Sequence, residues 1–205
     1  MDGATSDADP SVAAVVLAGG RSSRMGADKA TVRFCGRRMI DLVVERLRAL
    51  TPRIVVAARD RTTLEPLTVP ILEDAEAFAG PLPALIAGIR AAGTPHVVAV
   101  ACDMPFLNVP LLASLVARLA DETDAVVPVT DHGPQPLHAA YGDCAVEPLL
   151  AALAAGERSL RGALSRLRVR WVDADEWKVM DPSGRSFWNV NTPADLAEAA
   201  SMGTG

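Results

Sequence analysis

Cysteine is too scarce and too scattered here to build a disulfide scaffold. Cys35, Cys102 and Cys144 are an odd number in 205 residues, which excludes a closed framework of pairs and fits a reducing compartment, the cytoplasm. No apolar run approaches the ~20 residues of a membrane-spanning helix. The first ten residues are polar and acidic (Asp2, Asp7, Asp9) and lack the basic start and apolar segment of a secretory leader. They read as a disordered tail before a single domain over 11–205. A basic excess is also missing: the net charge of −5 argues against nucleic-acid binding. Gly-x-x-x-x-Gly-Lys-Ser/Thr, Gly-x-Gly-x-x-Gly and Gly-x-Ser-x-Gly do not occur. Those absences disfavour a Walker A site, a nicotinamide or flavin dinucleotide, and a hydrolase nucleophile elbow. His96, His132 and His138 have no metal-ligand spacing.

Apolar material is plentiful. Half of the residues are hydrophobic and 22% are charged, a globular balance with enough to fill a core. The run Val12-Ala-Ala-Val-Val-Leu-Ala18 is short, β-branched and stopped by Gly19 and Gly20, as a buried strand would be. Glycines without a Cβ let a phosphate approach their N–H groups. Arg21, Arg24 and Lys29 follow with positive charge. The stretch therefore predicts an anion-binding loop at the carboxyl end of a strand, where open α/β sheets bind ligands. From Arg21 to Arg38 there are six basic residues and one acid, Asp28; Arg158, Arg161, Arg166, Arg168 and Arg170 form a second basic group with only Glu157 among them. Two basic patches on an acidic chain point to an anionic ligand, although the second reads equally well as a solvated arginine-rich face.

Further along, Ile40, Val43, Val44, Leu47 and Leu50 make one apolar face of a helix over 39–50. Strands are expected over 53–58, 69–72, 96–102, 124–129 and 137–141, with an edge strand over 168–172. The run 96–102 is continuously apolar, as expected of a central parallel strand buried on both faces. Gly80-Pro-Leu-Pro83 opens a helix to about Ala92. Others are expected over 109–120, 147–155 and 160–167, and one from Thr192-Pro-Ala-Asp195 to about Ser201. Strands alternating with helices give an α/β, Rossmann-like, doubly wound and mostly parallel sheet with helices on both faces.

Asp103 follows the strand over 96–102 directly, in Cys102-Asp-Met-Pro105. Mg²⁺ takes one or two carboxylates and completes its shell with phosphate oxygens and water. The residues alone leave Asp103 either as such a ligand or as a turn or cap residue.

Leu17-Ala-Gly-Gly-Arg-Ser-Ser-Arg-Met-Gly-Ala-Asp-Lys-Ala30 resembles the signature of the molybdenum cofactor guanylyltransferases, within the Rossmann-like nucleotidyltransferases. Leu72-Glu-Asp74 with Gly80-Pro-Leu82, Cys102-Asp-Met-Pro105, Gln135-Pro-Leu137 with Gly156-Glu-Arg-Ser-Leu160, and Phe187-Trp-Asn-Val-Asn-Thr-Pro193 match further motifs in the same order, covering most of 12–200. The resemblance implies transfer of GMP from GTP to the phosphate of molybdenum-bound molybdopterin, with release of pyrophosphate and with Mg²⁺ as cofactor. It implies Arg24, Lys29 and Asp103 as catalytic residues and Asp103 as the metal ligand. Leu17, Ala18, Gly19, Gly20, Lys29, Asp74, Gly80 and Asp103 would bind the nucleotide; Arg158, Ser159, Asn189 and Asn191 would bind the acceptor. Partners would be the two small substrates and molybdenum-insertion or molybdoenzyme proteins, with no nucleic acid and no membrane. This chain departs from the family pattern at Ala84, where the turn usually has a second glycine, and at Ala57-Ala-Arg59, where an asparagine is frequent. A cytidylyltransferase for the same cofactor, a sugar-phosphate nucleotidylyltransferase and a non-catalytic nucleotide-binding subunit are the alternatives. Gly19-Gly20 and Gly80-Pro-Leu82 favour guanosine over cytidine.

Overall fold

The computed structural model describes residues 9–18, 29–73 and 80–202, with Lys29 described by its backbone alone. In chain order the elements are β1 (Val12–Ala18), β2 (Arg33–Phe34), β3 (Arg37–Arg38), α1 (Met39–Leu47), β4 (Ile54–Ala58), β5 (Ile71–Glu73), α2 (Pro81–Ala92), β6 (His96–Ala101), α3 (Val109–Val116), β7 (Ala125–Thr130), β8 (Gly133–Pro134), β9 (His138–Gly142), α4 (Val146–Ala154), α5 (Leu160–Ala163), β10 (Val169–Val172), α6 (Ala174–Trp177) and α7 (Pro193–Ser201).

The main sheet runs β10-β7-β9-β6-β1-β4-β5, with β8 attached to β7. β1 pairs parallel with β4 on one side and β6 on the other. β9 is antiparallel to both β6 and β7, so the sheet is mixed at this point. The run over 96–102 is thus a central strand buried on both faces, with one parallel and one antiparallel neighbour.

Alternation along β1 explains the layers. Ala14, Val16 and Ala18 face a core built with Ile40, Val43 and Leu47 of α1 and Leu111, Leu112 and Leu115 of α3. Val15 and Leu17 face the opposite core, with Leu82, Leu85 and Ile89 of α2 and Leu149 of α4. A strand covered on both sides needs apolar residues at every position, and all seven residues of β1 are buried. α2 lies so close to the sheet that a Cβ at Gly88 would come within 2.4 Å of the Val15 side chain. A third cluster joins Phe34, Met39 and Phe106 to Val190 and to Ala199 of α7.

The expected helices form but three end early: α1 at Leu47, α3 at Val116 and α5 at Ala163, the last continuing as a 3₁₀ turn over Leu164–Arg166. Tight turns at helix ends of this kind satisfy the last carbonyls without another α turn. β10 lies at a sheet edge, as its alternating pattern predicts. The capping box at Thr192 and Asp195 is present. The small β2–β3 hairpin is not foreseen by the sequence reading. Asp9, assigned there to the tail, instead accepts hydrogen bonds from the Ser11 amide and hydroxyl at 2.9 and 2.6 Å and leads into β1. Residues 1–8 lie outside the described residues. Among the described residues, no helix is long and apolar enough to cross a membrane.

Candidate nucleotide and acceptor site

The chain reverses direction in the sheet at β1. It moves outward through β4 and β5, returns through α2, and resumes at β6 on the opposite side of β1. Loops after strands on either side of such a switch leave to opposite faces and open a crevice beyond the strand ends. Leu17 pairs in register with Ala101, and the Cys102 amide donates to the Leu17 carbonyl at 3.1 Å. The glycine-loop strand and the Cys102-Asp-Met-Pro105 segment therefore reach the same edge side by side.

Asp103 stands there with only 7% of its surface exposed. The helix cap is another residue, Asn108, whose Oδ1 accepts from the Leu111 amide at 2.9 Å. The cap alternative for Asp103 is thereby removed. The Asp103 carbonyl accepts a hydrogen bond from the Val190 amide at 2.9 Å. This bond fastens the segment bearing Asn189 and Asn191 directly against Asp103, although 87 positions separate Val190 from it in sequence. The asparagines also bond locally. Asn189 Nδ2 donates to the Phe187 carbonyl at 3.0 Å, and the Asn191 amide donates to Asp195 at 2.8 Å.

A second close approach links Gly80 to Arg158. Gly80 has φ +117°, a value side chains disfavour, and a Cβ there would meet the Arg158 carbonyl at 3.3 Å. The turn assigned to the nucleotide and the segment assigned to the acceptor are thus neighbours. Arg158 donates from its guanidinium to the carbonyls of Leu153 and Glu157, both at 2.9 Å, sealing the end of α4. The Glu157 carboxylate accepts from the Ser159 and Arg158 amides at 2.7 and 2.8 Å, which hold it below its ordinary pKa. Ser159 caps α5 by accepting from the Gly162 amide.

Gly19, Gly20, Arg24 and Asp74 lie outside the described residues, as does the Lys29 side chain. Ala18 and Glu73, which precede the first and last of these stretches, end β1 and β5 at the same sheet edge. The structure does, however, dissolve much of the two basic groups into internal bonds. Arg33 donates to the Gly36 carbonyl, Arg37 pairs with Glu45, and Arg38 forks onto Asp41 at 2.8 and 2.7 Å. In the second group Arg168 pairs with Asp124, Arg170 with Glu176, and Arg161 donates to the His132 carbonyl. Partners such as Asp124 for Arg168 lie far away in sequence, so a count of local charge misses the pairing.

Three buried polar residues carry no signal in the sequence. Asp181 accepts from the amide and hydroxyl of Ser186, at 3.0 and 2.6 Å, and so shapes the turn before Phe187. His138 is fully buried, edge-on to Phe187 with ring centroids 4.7 Å apart. Burial pushes its pKa down to about 4, against a weaker upward pull from Asp181. Tyr141, also fully buried, donates to the Pro136 carbonyl at 2.8 Å and has its pKa raised by burial.

The donor set fits a hard divalent cation. Among the described residues no group of three or more His, Cys, Asp and Glu could enclose a metal. A single buried carboxylate just beyond the end of a central strand suits an ion that draws most of its shell from phosphate oxygens and water.

Comparison with known proteins agrees with this geometry. The model of the MobA-like NTP transferase domain matches residues 14–171. A probable molybdenum cofactor guanylyltransferase of Chloroflexus aggregans is 35% identical over 190 residues, 89% of this chain and 90% of that one. The molybdenum cofactor guanylyltransferase of Desulfosudis oleivorans is 31% identical, covering 92% and 94% of the two chains. The crystal structure of molybdopterin-guanine dinucleotide biosynthesis protein A from Archaeoglobus fulgidus superposes with a TM-score of 0.77 at 29% identity, over 92% of this chain and 97% of that one. A cytidylyltransferase for 2-C-methyl-D-erythritol 4-phosphate from Thermus thermophilus shares the fold at 16% identity, with a TM-score of 0.67 over 93% and 98%. With its strand order switching at β1 and these relatives, the chain belongs to the MobA-like NTP transferase family, in company with the molybdenum cofactor guanylyltransferases.

Proposed function

We propose that this protein transfers GMP from GTP to the terminal phosphate of molybdenum-bound molybdopterin. An oxygen of the acceptor phosphate attacks the α-phosphorus of GTP, the bond from that phosphorus to the bridging oxygen breaks, and pyrophosphate leaves with the electron pair. The acceptor is already an anion, so the protein must position two phosphates and neutralise charge rather than supply a strong base. The observation that carries the reading is the buried Asp103 beside the end of β1, with the Asn189–Asn191 segment tied to its backbone.

In this reading Asp103 holds Mg²⁺, which would supply charge neutralisation at the phosphates. Gly19 and Gly20 offer N–H groups to the nucleotide beside Leu17 and Ala18. Arg24 and Lys29 stabilise charge on the leaving and transferring oxygens. Asp74 and Gly80 face guanosine, and Arg158, Ser159, Asn189 and Asn191 face molybdopterin. The test is pyrophosphate release and dinucleotide formation with molybdopterin, Mg²⁺ and either GTP or CTP. Transfer from GTP at least about ten times faster than from CTP is expected, a preference of about 1.4 kcal/mol. Equal rates would overturn the guanosine assignment, and no product from either nucleotide would overturn the reaction.

A further inference from the structure

His138 starts β9, opposite Val100 of β6 and therefore at the sheet edge where Asp103 stands. It is the one histidine wholly removed from solvent. Among the described residues neither ring nitrogen finds a hydrogen-bond partner, and the ring packs against an aromatic neighbour. That packing is directional. Its edge meets Phe187 at 4.7 Å and 63°, and Phe187 in turn meets Trp177 at 5.0 Å and 74°. Trp177 is fixed by its indole N–H, which donates to the Val129 carbonyl of β7 at 2.9 Å. Edge-to-face ring contacts prefer one mutual orientation, which an aliphatic neighbour does not enforce.

Phe187 is the first residue of the segment that carries Asn189 and Asn191. From it the chain passes straight to Val190, whose amide donates to the Asp103 carbonyl. The segment is thus held at two points: at one end by two rings rooted in the sheet, at the other by a backbone bond beside the carboxylate. We propose that His138 is a positioning residue, which orients Phe187 and through it sets Asn189 and Asn191 in register with Asp103 for the acceptor. The acceptor role of those asparagines rests on the function proposed above. The holding of the segment does not.

The experiment compares wild type with the His138→Leu, His138→Phe and Phe187→Leu variants. In His138→Leu the KM for molybdopterin should rise about tenfold, while kcat at saturating acceptor and the KM for GTP stay within about twofold. Amide exchange of residues 187–191 in the ligand-free protein should quicken by about the same factor. His138→Phe keeps a ring edge against Phe187 and should stay within about twofold of wild type in every readout, while Phe187→Leu should reproduce the acceptor defect. Unchanged acceptor KM and exchange in His138→Leu would overturn the proposal, as would a joint loss in kcat and both KM values, or a His138→Phe variant as impaired as His138→Leu. Should His138→Leu fail to fold, an unaltered acceptor KM in Phe187→Leu overturns it. If wild type transfers nothing to molybdopterin, the proposed function fails, and the exchange comparison still decides whether His138 holds the segment.

Discussion

Two aspartates in this sheet share residue type and burial yet sit at opposite ends of it. Asp124, 3% exposed, immediately precedes β7; Asp103, 7% exposed, follows β6. Both strands run antiparallel to β9 and hence in the same direction. Asp124 is closed by the protein's own groups. The Arg168 amide donates to it at 2.8 Å and the Arg168 guanidinium at 2.6 Å. The side-chain bonds from Arg168 hold its carboxyl below the usual range. Asp103 sits at the carboxyl edge instead, where the Val190 amide fastens the 187–191 segment to its carbonyl. Asp124 at the amino edge of this sheet ties the fold together, while Asp103 lies at the carboxyl edge, where open α/β sheets bind their ligands. Burial alone does not separate the two aspartates; the strand end does.

The sharpest way to break that contrast is to neutralise each aspartate in turn. Asp103→Asn should reduce turnover at ordinary Mg²⁺ by about a hundredfold or more, since a charge-neutralising cation is worth several kcal/mol in such a step. Raised Mg²⁺ or Mn²⁺ should restore part of it, and the melting temperature should hold within a few degrees. Asp124→Asn should do the reverse. Losing charge-assisted bonds to Arg168 should destabilise the fold by about 2 kcal/mol, or about 4–8 °C for a chain of this size, with turnover per folded molecule unchanged. The ion-pair share of that stability is present above the ordinary carboxyl pKa and fades as pH falls through the lowered folded value.

His138 gives a third effect, of the same sense and confined to mildly acidic pH. Its folded pKa of about 4 lies below the ordinary 6.5, so below pH 6.5 the unfolded chain takes up a proton that the folded chain refuses. Stability therefore declines from pH 6.5 down to about 4, by about 2 kcal/mol at pH 5. His138→Leu should remove this share of the decline, which urea melts at pH 7.5 and pH 5 would measure. The smallest effect belongs to Arg158→Ala. Its exposed guanidinium seals the end of α4, so stability should drop by less than about 1 kcal/mol. Acceptor KM should rise a few-fold, with GTP affinity nearly constant. A large loss of GTP binding would instead assign Arg158 to the nucleotide pocket that its contact with Gly80 adjoins.

The sheet was legible because its central strands are covered on both faces. Val12–Ala18 and His96–Ala101 had to read as unbroken apolar runs, and Cys102-Asp-Met-Pro105 follows the second directly at the sheet edge. The antiparallel insertion of β9 was not legible, because His138–Gly142 is buried throughout and strand direction leaves no trace in such a run. Part of the basic groups pairs internally for a related reason. Arg168 meets Asp124 and Arg170 meets Glu176 only once the chain has folded, so local charge overstated what a ligand would find. The contacts of Val190 with Asp103 and of Gly80 with Arg158 join residues far apart in sequence, and bring the motifs of each pair side by side.

We propose that Asp103, and not buried acidity in general, serves the nucleotide through a divalent cation. Calorimetric titration of GTP with and without Mg²⁺ into wild type and the Asp103→Asn and Asp124→Asn variants tests it most directly. Wild type and Asp124→Asn should both bind GTP at least about tenfold more tightly when Mg²⁺ is present, a coupling of about 1.4 kcal/mol, and Asp103→Asn should lose that dependence. Equal Mg²⁺ dependence in wild type and Asp103→Asn would contradict the account.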